Sequence, residues 1–167
     1  MAIISEETIN ALNVQLNEEN YSSHLYFNMA GWAAKNGLSG ASAFLEAHAK
    51  EEHKHLELFS DFIKKVGGQP IVSAMKAPES SFNSIEDIFY KIMEHEQYIT
   101  FCIKKLVNKA MDDKDYITLK FLDCFIEEQV EEEALFSSII DKIKMLGELK
   151  GRDLYMFDSY LSSISSH

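Results

Sequence analysis

The chain has 167 residues, 46% hydrophobic and 26% charged, with a formal net charge of −11. That length suits a single domain, residues 1–167, with a full-sized core. The acidic balance argues against a nucleic-acid binder, which neutralises phosphates with Lys and Arg, and it suits a protein that binds and collects cations.

The first helix is predicted over residues 5–35, with Ser5 as its N-cap. Steps of three and four residues draw a seam through Ile9, Leu12, Leu16, Glu19, Ser23, Tyr26, Ala30 and Ala33. A second stripe, Val14, Tyr21, Leu25 and Trp32, lies off that seam and would bury either against another copy of the chain or under a long loop. The Asn36–Gly40 break leads to a second helix over 40–66, with Ser39 as a candidate N-cap and a seam of Ala41, Leu45, His48, Glu52, His55, Phe59, Phe62 and Val66. Gly67 is its predicted stop.

Both prolines, Pro70 and Pro78, fall in the next stretch, Gly67 to Asn83, which is the one long loop. Its 17 residues can stretch to about 56 Å at about 3.3 Å each. It can therefore run the length of a bundle and start the third helix parallel to the second. That helix is predicted over 84–111, with Ser84 as N-cap and a seam of Ile85, Phe89, Ile92, Glu96, Ile99, Ile103, Leu106 and Ala110. The fourth is predicted over 115–146, capped by Asp115 and stopped by Gly147. Its seam is Thr118, Leu122, Phe125, Gln129, Glu132, Phe136, Ile139, Ile143 and Leu146. A short fifth helix follows over 152–163. Four helices of similar length, one apolar seam each, make an all-α four-helix bundle.

The seams are apolar except at mid-length. There Glu19, Glu52, His55, Glu96, Gln129 and Glu132 fall at one depth. Burying such carboxylates uncompensated costs several kcal/mol each, and no Lys or Arg lies on any seam. A cluster of bound cations offsets that cost, unless the groups are protonated. Carboxylates with one imidazole suit Fe(II) or Mn(II), and the absence of thiolate argues against structural zinc. Glu52 and His55 form one Glu-x-x-His, while the fourth helix carries Gln129-x-x-Glu132 instead of a second, so two metal sites here would be unequal. A register-fixing structural bundle is the alternative from another class, but one Asn or Gln would serve it.

No window reaches the roughly 18 apolar residues of a membrane span. The start of the chain lacks the basic segment and apolar run of a signal peptide. Cys102 and Cys124 form no CxxC pair. A cytoplasmic protein is the expectation.

Four motifs together carry a family resemblance: Asn17-Glu18-Glu19-Asn20-Tyr21-Ser22-Ser23, His48-Ala49-Lys50-Glu51-Glu52-His53-Lys54-His55, Glu94-His95-Glu96-Gln97 and Glu128-Gln129-Val130-Glu131-Glu132-Glu133. With them the chain resembles the bacterial non-haem ferritins over nearly its whole length. The resemblance implies the ferritin-like bundle with its long crossover loop and short C-terminal helix. It implies a ferroxidase that oxidises Fe(II) with O2 or H2O2 and stores Fe(III) as mineral inside a shell of identical subunits, 24 in that family. Glu19, Glu52 and His55 would hold the first iron, Glu52 would bridge, and Glu96 and Glu132 would hold the second with Gln129 close by. Glu51, Glu128 and Glu131, sharing Glu132, would hold a third. Tyr26 would stand beside the centre. Haem is not implied, because haem-binding bacterioferritins carry a Met where this chain has His53, and a second Glu-x-x-His. A non-storage di-iron peroxidase of the rubrerythrin type resembles the chain less, since that second motif and the rubredoxin-like cysteine pairs are missing. Leu119 and Leu122 stand where animal ferritins line a three-fold channel with acids, which puts that channel in doubt, and Asp112, Asp113 and Asp115 read as turn-capping acids.

Overall fold

The computed structural model describes residues 2–165. Five helices account for most of them: α1 (Glu6–Lys35), α2 (Ser39–Lys65), α3 (Ile85–Asp112), α4 (Tyr116–Leu146) and α5 (Gly151–Ile164). Local chemistry sets most of their ends. Ser5, Ser84 and Asp115 accept hydrogen bonds from the backbone N–H of Thr8, Asp87 and Thr118, which satisfies donors that a helix start leaves unpaired. Asp113 pairs with Lys109, and with the Asp115 cap two of the three turn acids serve the turn. Gly67 and Gly147, at φ +89° and +73°, take backbone conformations that other residues avoid.

Ser39 is not the cap of α2. It is the first helical residue, and Leu38 before it offers no side-chain bond. The cap comes from α5, whose Asp158 carboxylate accepts from the N–H of Gly40 (3.0 Å) and Ala41 (2.8 Å). A cap supplied from over a hundred residues away leaves no local signal.

The core falls into two apolar clusters. One contains the C-terminal half of α1, the start of α2, the start of α3, the end of α4 and Phe157 and Leu161 of α5. The other contains the N-terminal half of α1, the end of α2, the end of α3 and the start of α4. This order fixes the directions: α1 and α2 are antiparallel, α3 runs parallel to α2, and α4 runs back. The predicted polar residues sit between the clusters, on all four helices. The seams match burial except at their ends and at Ser23, which is half-buried while Ser22 beside it is buried. Phe62 and Leu146 are only half-buried, and Ile63 is buried where α2's stripe drifts by one position, as a 3.6-residue turn drifts against a 3.5-residue repeat.

The long loop climbs α1. Asn13 and Asn17 act as two rungs. Asn13 donates to the Gln69 carbonyl and accepts from Ile71 N–H, and Asn17 donates to the Ile71 carbonyl and accepts from Ser73 N–H. Higher up, Trp32 packs edge-on against Phe82 and Lys76 sits over the Tyr21 ring. The second stripe of α1 therefore lies largely under this loop, with Val14 left exposed.

Gly40 tests the α2–α5 seat. A Cβ there would lie 2.0 Å from the Asp158 carbonyl oxygen, a backbone atom that cannot swing aside. Alanine in a helix normally gains up to about 1 kcal/mol over glycine. Here overpacking of about 1–3 kcal/mol outweighs it. Gly40→Ala is expected to melt below wild type, and an equal or higher melting temperature would show that α5 is loosely seated.

Candidate metal centre

Glu19, Glu52, His55, Glu96, Gln129 and Glu132 are all buried, as is Tyr26. Each owes its place to the same cause, a seam position at the depth where the two apolar clusters leave a gap. Ligand atoms of Glu19, Glu52 and His55 lie within 4.8 Å of one another. His55 Nδ1 faces the other two, 3.3 Å from Glu52 Oε2 and 3.5 Å from Glu19 Oε2. Its other nitrogen, Nε2, is 2.7 Å from Glu128 Oε1. That bond fixes which nitrogen is which: Glu128 holds Nε2–H, and Nδ1 is the nitrogen left to ligate.

On the other side of the layer, the Tyr26 hydroxyl donates to Glu96 Oε1, and Gln129 Nε2 donates to Glu96 Oε2 at 3.1 Å. Glu132 belongs to a second possible ligand group with His48 and Glu51, again with atoms within 4.8 Å. Among the residues expected at a third site, Glu51 is exposed and in that group. Glu128 is half-buried against His55, and Glu131 is exposed and in neither group.

The electrostatics are those of unlike neighbours. Burial opposes the charge on His55, but Glu128, Glu19 and Glu52 outweigh it and raise its pKa far above the usual value, so the imidazole carries a proton at neutral pH. Burial pushes Glu19 up, yet the close approach of the His55 and Glu52 side chains and the His55 charge hold it below the usual carboxylate range. Glu52 is raised well above that range, chiefly by burial. Burial also raises Glu96, to about 7, with the charges of Glu132 and Glu19 adding to it. Without metal, the layer compensates itself: one carboxylate pairs with the imidazolium while others keep protons.

That compensation is incomplete. Glu19 Oε2 and Glu132 Oε2 are buried with no hydrogen-bond partner, each 3.5 Å from a histidine nitrogen without bonding geometry. Buried polar atoms are normally paired. Two orphan carboxylate oxygens, one in each candidate ligand group, are what a layer shaped for cations would leave. The donor set, all oxygen and imidazole, fits iron.

Three neighbours of this layer lie outside the expected ligand set. His48 contacts Glu132 and donates its Nδ1–H to the Phe44 carbonyl at 3.1 Å; burial lowers its pKa but Glu132 raises it overall. Gln15 donates to Glu19 Oε1 at 2.7 Å. Thr100 accepts from Gln129 at 3.1 Å. Each lies four residues from a layer residue on its own helix, so helical spacing alone pointed to them.

The ferritin-like domain family matches residues 9–146. A bacterial non-heme ferritin of Campylobacter jejuni is 42% identical over 163 residues, 98% of this chain and 97% of that protein. One from Escherichia coli O157:H7 is 38% identical, over 98% of this chain and 99% of the relative. The chain also superposes on an open pore ferritin from the hyperthermophilic archaeon Archaeoglobus fulgidus with a TM-score of 0.93, at 39% identity, over 97% of this chain and 98% of that one.

Proposed function

The chain belongs to the ferritin family, and from that premise we propose that its buried polar layer is a two-iron ferroxidase centre. The protein stores iron and oxidises Fe(II). Fe(II) is its substrate, and O2 or H2O2 its oxidant. The observation that carries the site reading is the pair of orphan oxygens, Glu19 Oε2 and Glu132 Oε2, in a buried layer flanked by an apolar cluster on either side.

In this reading His55 Nδ1, Glu19 and Glu52 hold the first iron, Glu52 bridges, and Glu96 and Glu132 hold the second with Gln129. Iron supplies the electrons; the side chains supply ligation and proton traffic. His55 must release its Nδ1 proton to bind, and Glu52 and Glu96 must release theirs, so Fe(II) uptake liberates acid. Glu128 keeps the imidazole oriented while this happens. Tyr26, bonded to Glu96, stands where it can hand a proton or an electron to the layer. A third iron is proposed beside the pair on Glu51, Glu128 and Glu131, with Glu132 shared and His48 adjoining. The whole chain, 1–167, works as one domain, and no haem takes part.

A mineral needs a hollow assembly, since a 19.1 kDa chain cannot enclose one. The proposed assembly is the 24-subunit shell. Its proposed location is the cytoplasm, where free Cys102 and Cys124 stay reduced. Native mass together with Fe(II) oxidation in air tests this reading. A mass near 24 times the chain, with iron-dependent absorbance that outlasts turnover, supports it. A monomer that oxidises Fe(II) but retains no ferric core would leave the non-storage oxidase.

Glu132→Ala is expected to slow oxidation by at least about tenfold, the scale set by losing even an outer partner of a metal site. Glu131→Ala, exposed and outside both ligand groups, is expected to slow the first turnover far less. Stopped-flow rates in the reverse order would rule out Glu132 as the ligand.

A further inference from the structure

Resting on the two-iron reading, we propose that Thr100 and Glu133 are positioning residues that fix the Gln129 amide, so that its carbonyl is the end left for the second iron. The two ends of an amide have nearly the same shape, and hydrogen bonds decide which way it lies. Gln129 Nε2 meets three acceptors: Glu96 Oε2 at 3.1 Å, the Glu96 backbone carbonyl at 3.3 Å and Thr100 Oγ1 at 3.1 Å. Thr100 can act only as an acceptor there. Its single proton is committed to Glu133 Oε1, at 2.6 Å. A turned amide would set its carbonyl oxygen against three acceptors at once, with repulsion in place of three bonds.

Among the described residues, Gln129 Oε1 accepts no hydrogen bond. The chain of donors is therefore directional, from Gln129 N–H to the Thr100 hydroxyl to the Glu133 carboxylate. It spans two helical pairs that face each other: Glu96 and Thr100 on α3, Gln129 and Glu133 on α4. Both pairs have the spacing that puts side chains on one helix face. Gln129 is buried while Thr100 and Glu133 are half-buried, beside a cavity of about 300 Å³. The carboxylate end thus stays hydrated while it directs a buried amide. Glu133 needs no contact with iron to act.

Anaerobic titration with Co(II), followed by its visible absorption bands, tests this on the intact protein. Wild type should fill two sites in separable steps. Thr100→Val removes the hydroxyl at nearly constant volume and should weaken the second step about fivefold, the scale of one net hydrogen bond, with the His55 step unchanged. Glu133→Leu should do the same, because the freed Thr100 proton can then bond the Gln129 carbonyl and turn the amide. Thr100→Ser keeps the hydroxyl and should restore wild-type binding. Loss of both steps together in Thr100→Val, a second step unchanged from wild type, or failure of Thr100→Ser to rescue would overturn the positioning role. A wild-type protein that binds no Co(II) in the layer would overturn the two-metal reading itself, which is a different result.

Discussion

The His55→Ala variant is expected to lose its tightest Fe(II) site, to oxidise Fe(II) more than about 100-fold more slowly, and to melt below wild type without metal. The rate follows from ligand loss, since even outer partners of a metal ligand are worth about 10–100-fold. The stability loss follows from what His55 does in the metal-free layer. Among the described residues, its imidazolium is the one cation paired with Glu19 and Glu52, and it also holds Glu128. Removing it strands a buried carboxylate that is otherwise kept ionised, a loss of about 3 kcal/mol for a broken buried pair.

The pH dependence has a definite sign. His55 has a folded pKa raised above its unfolded value near 6.5. Its stabilisation is fully present below that unfolded value and fades as pH rises toward the folded one. The gap between wild type and His55→Ala should thus be widest at about pH 5–6.5, where Glu19 is still ionised, and should narrow in alkali. Calorimetry across this range, with anaerobic Fe(II) titrations, measures both effects. A variant that kept the tightest site would remove His55 from the centre.

The fold was legible because its signals are local and repeated. Each long helix carries its own seam, and each boundary has a nearby break, so the structure follows the expected ranges within a residue. The layer was legible because Glu19, Glu52, Glu96 and Glu132 interrupt four seams at one depth. What stayed hidden was tertiary. Asp158 capping α2 and Asn13 and Asn17 holding the loop depend on segments far away in sequence. The protonation pattern was also out of reach. From sequence, no Lys or Arg opposed the carboxylates, whereas in the fold His55 meets three of them at once. His48 and Thr100 gave a signal, four residues from Glu52 and from Glu96, but one that ordinary core and surface residues share.

Glu96→Gln should have the opposite effect on stability: metal-free, it is expected to melt above wild type at pH 8 while losing fast oxidation. Glu96 is pushed from 4.5 to about 7, by burial first and by Glu132 and Glu19 after it. A raised carboxyl holds its proton more tightly folded than unfolded. Its stability contribution is therefore complete below about pH 4.5 and is lost as pH rises to about 7, at about 1.4 kcal/mol per pH unit, roughly 3 kcal/mol in all. Glutamine is neutral throughout and escapes that loss. It can still accept from Tyr26 but gives up the bond from Gln129, worth about 1 kcal/mol. The net gain, about 2 kcal/mol above pH 7, raises the melting temperature by several degrees. The gap should close, then reverse, as pH falls toward 4.5. Glu19→Gln makes the control. Glu19 is held below its usual range by His55, so that variant should be less stable than wild type at the same pH. Anaerobic Fe(II) should stabilise Glu96→Gln less than wild type, because one ligand is gone. A metal-free Glu96→Gln protein clearly less stable than wild type at pH 8 would mean that the layer is a hydrogen-bonded scaffold, whose charges serve the fold rather than the iron.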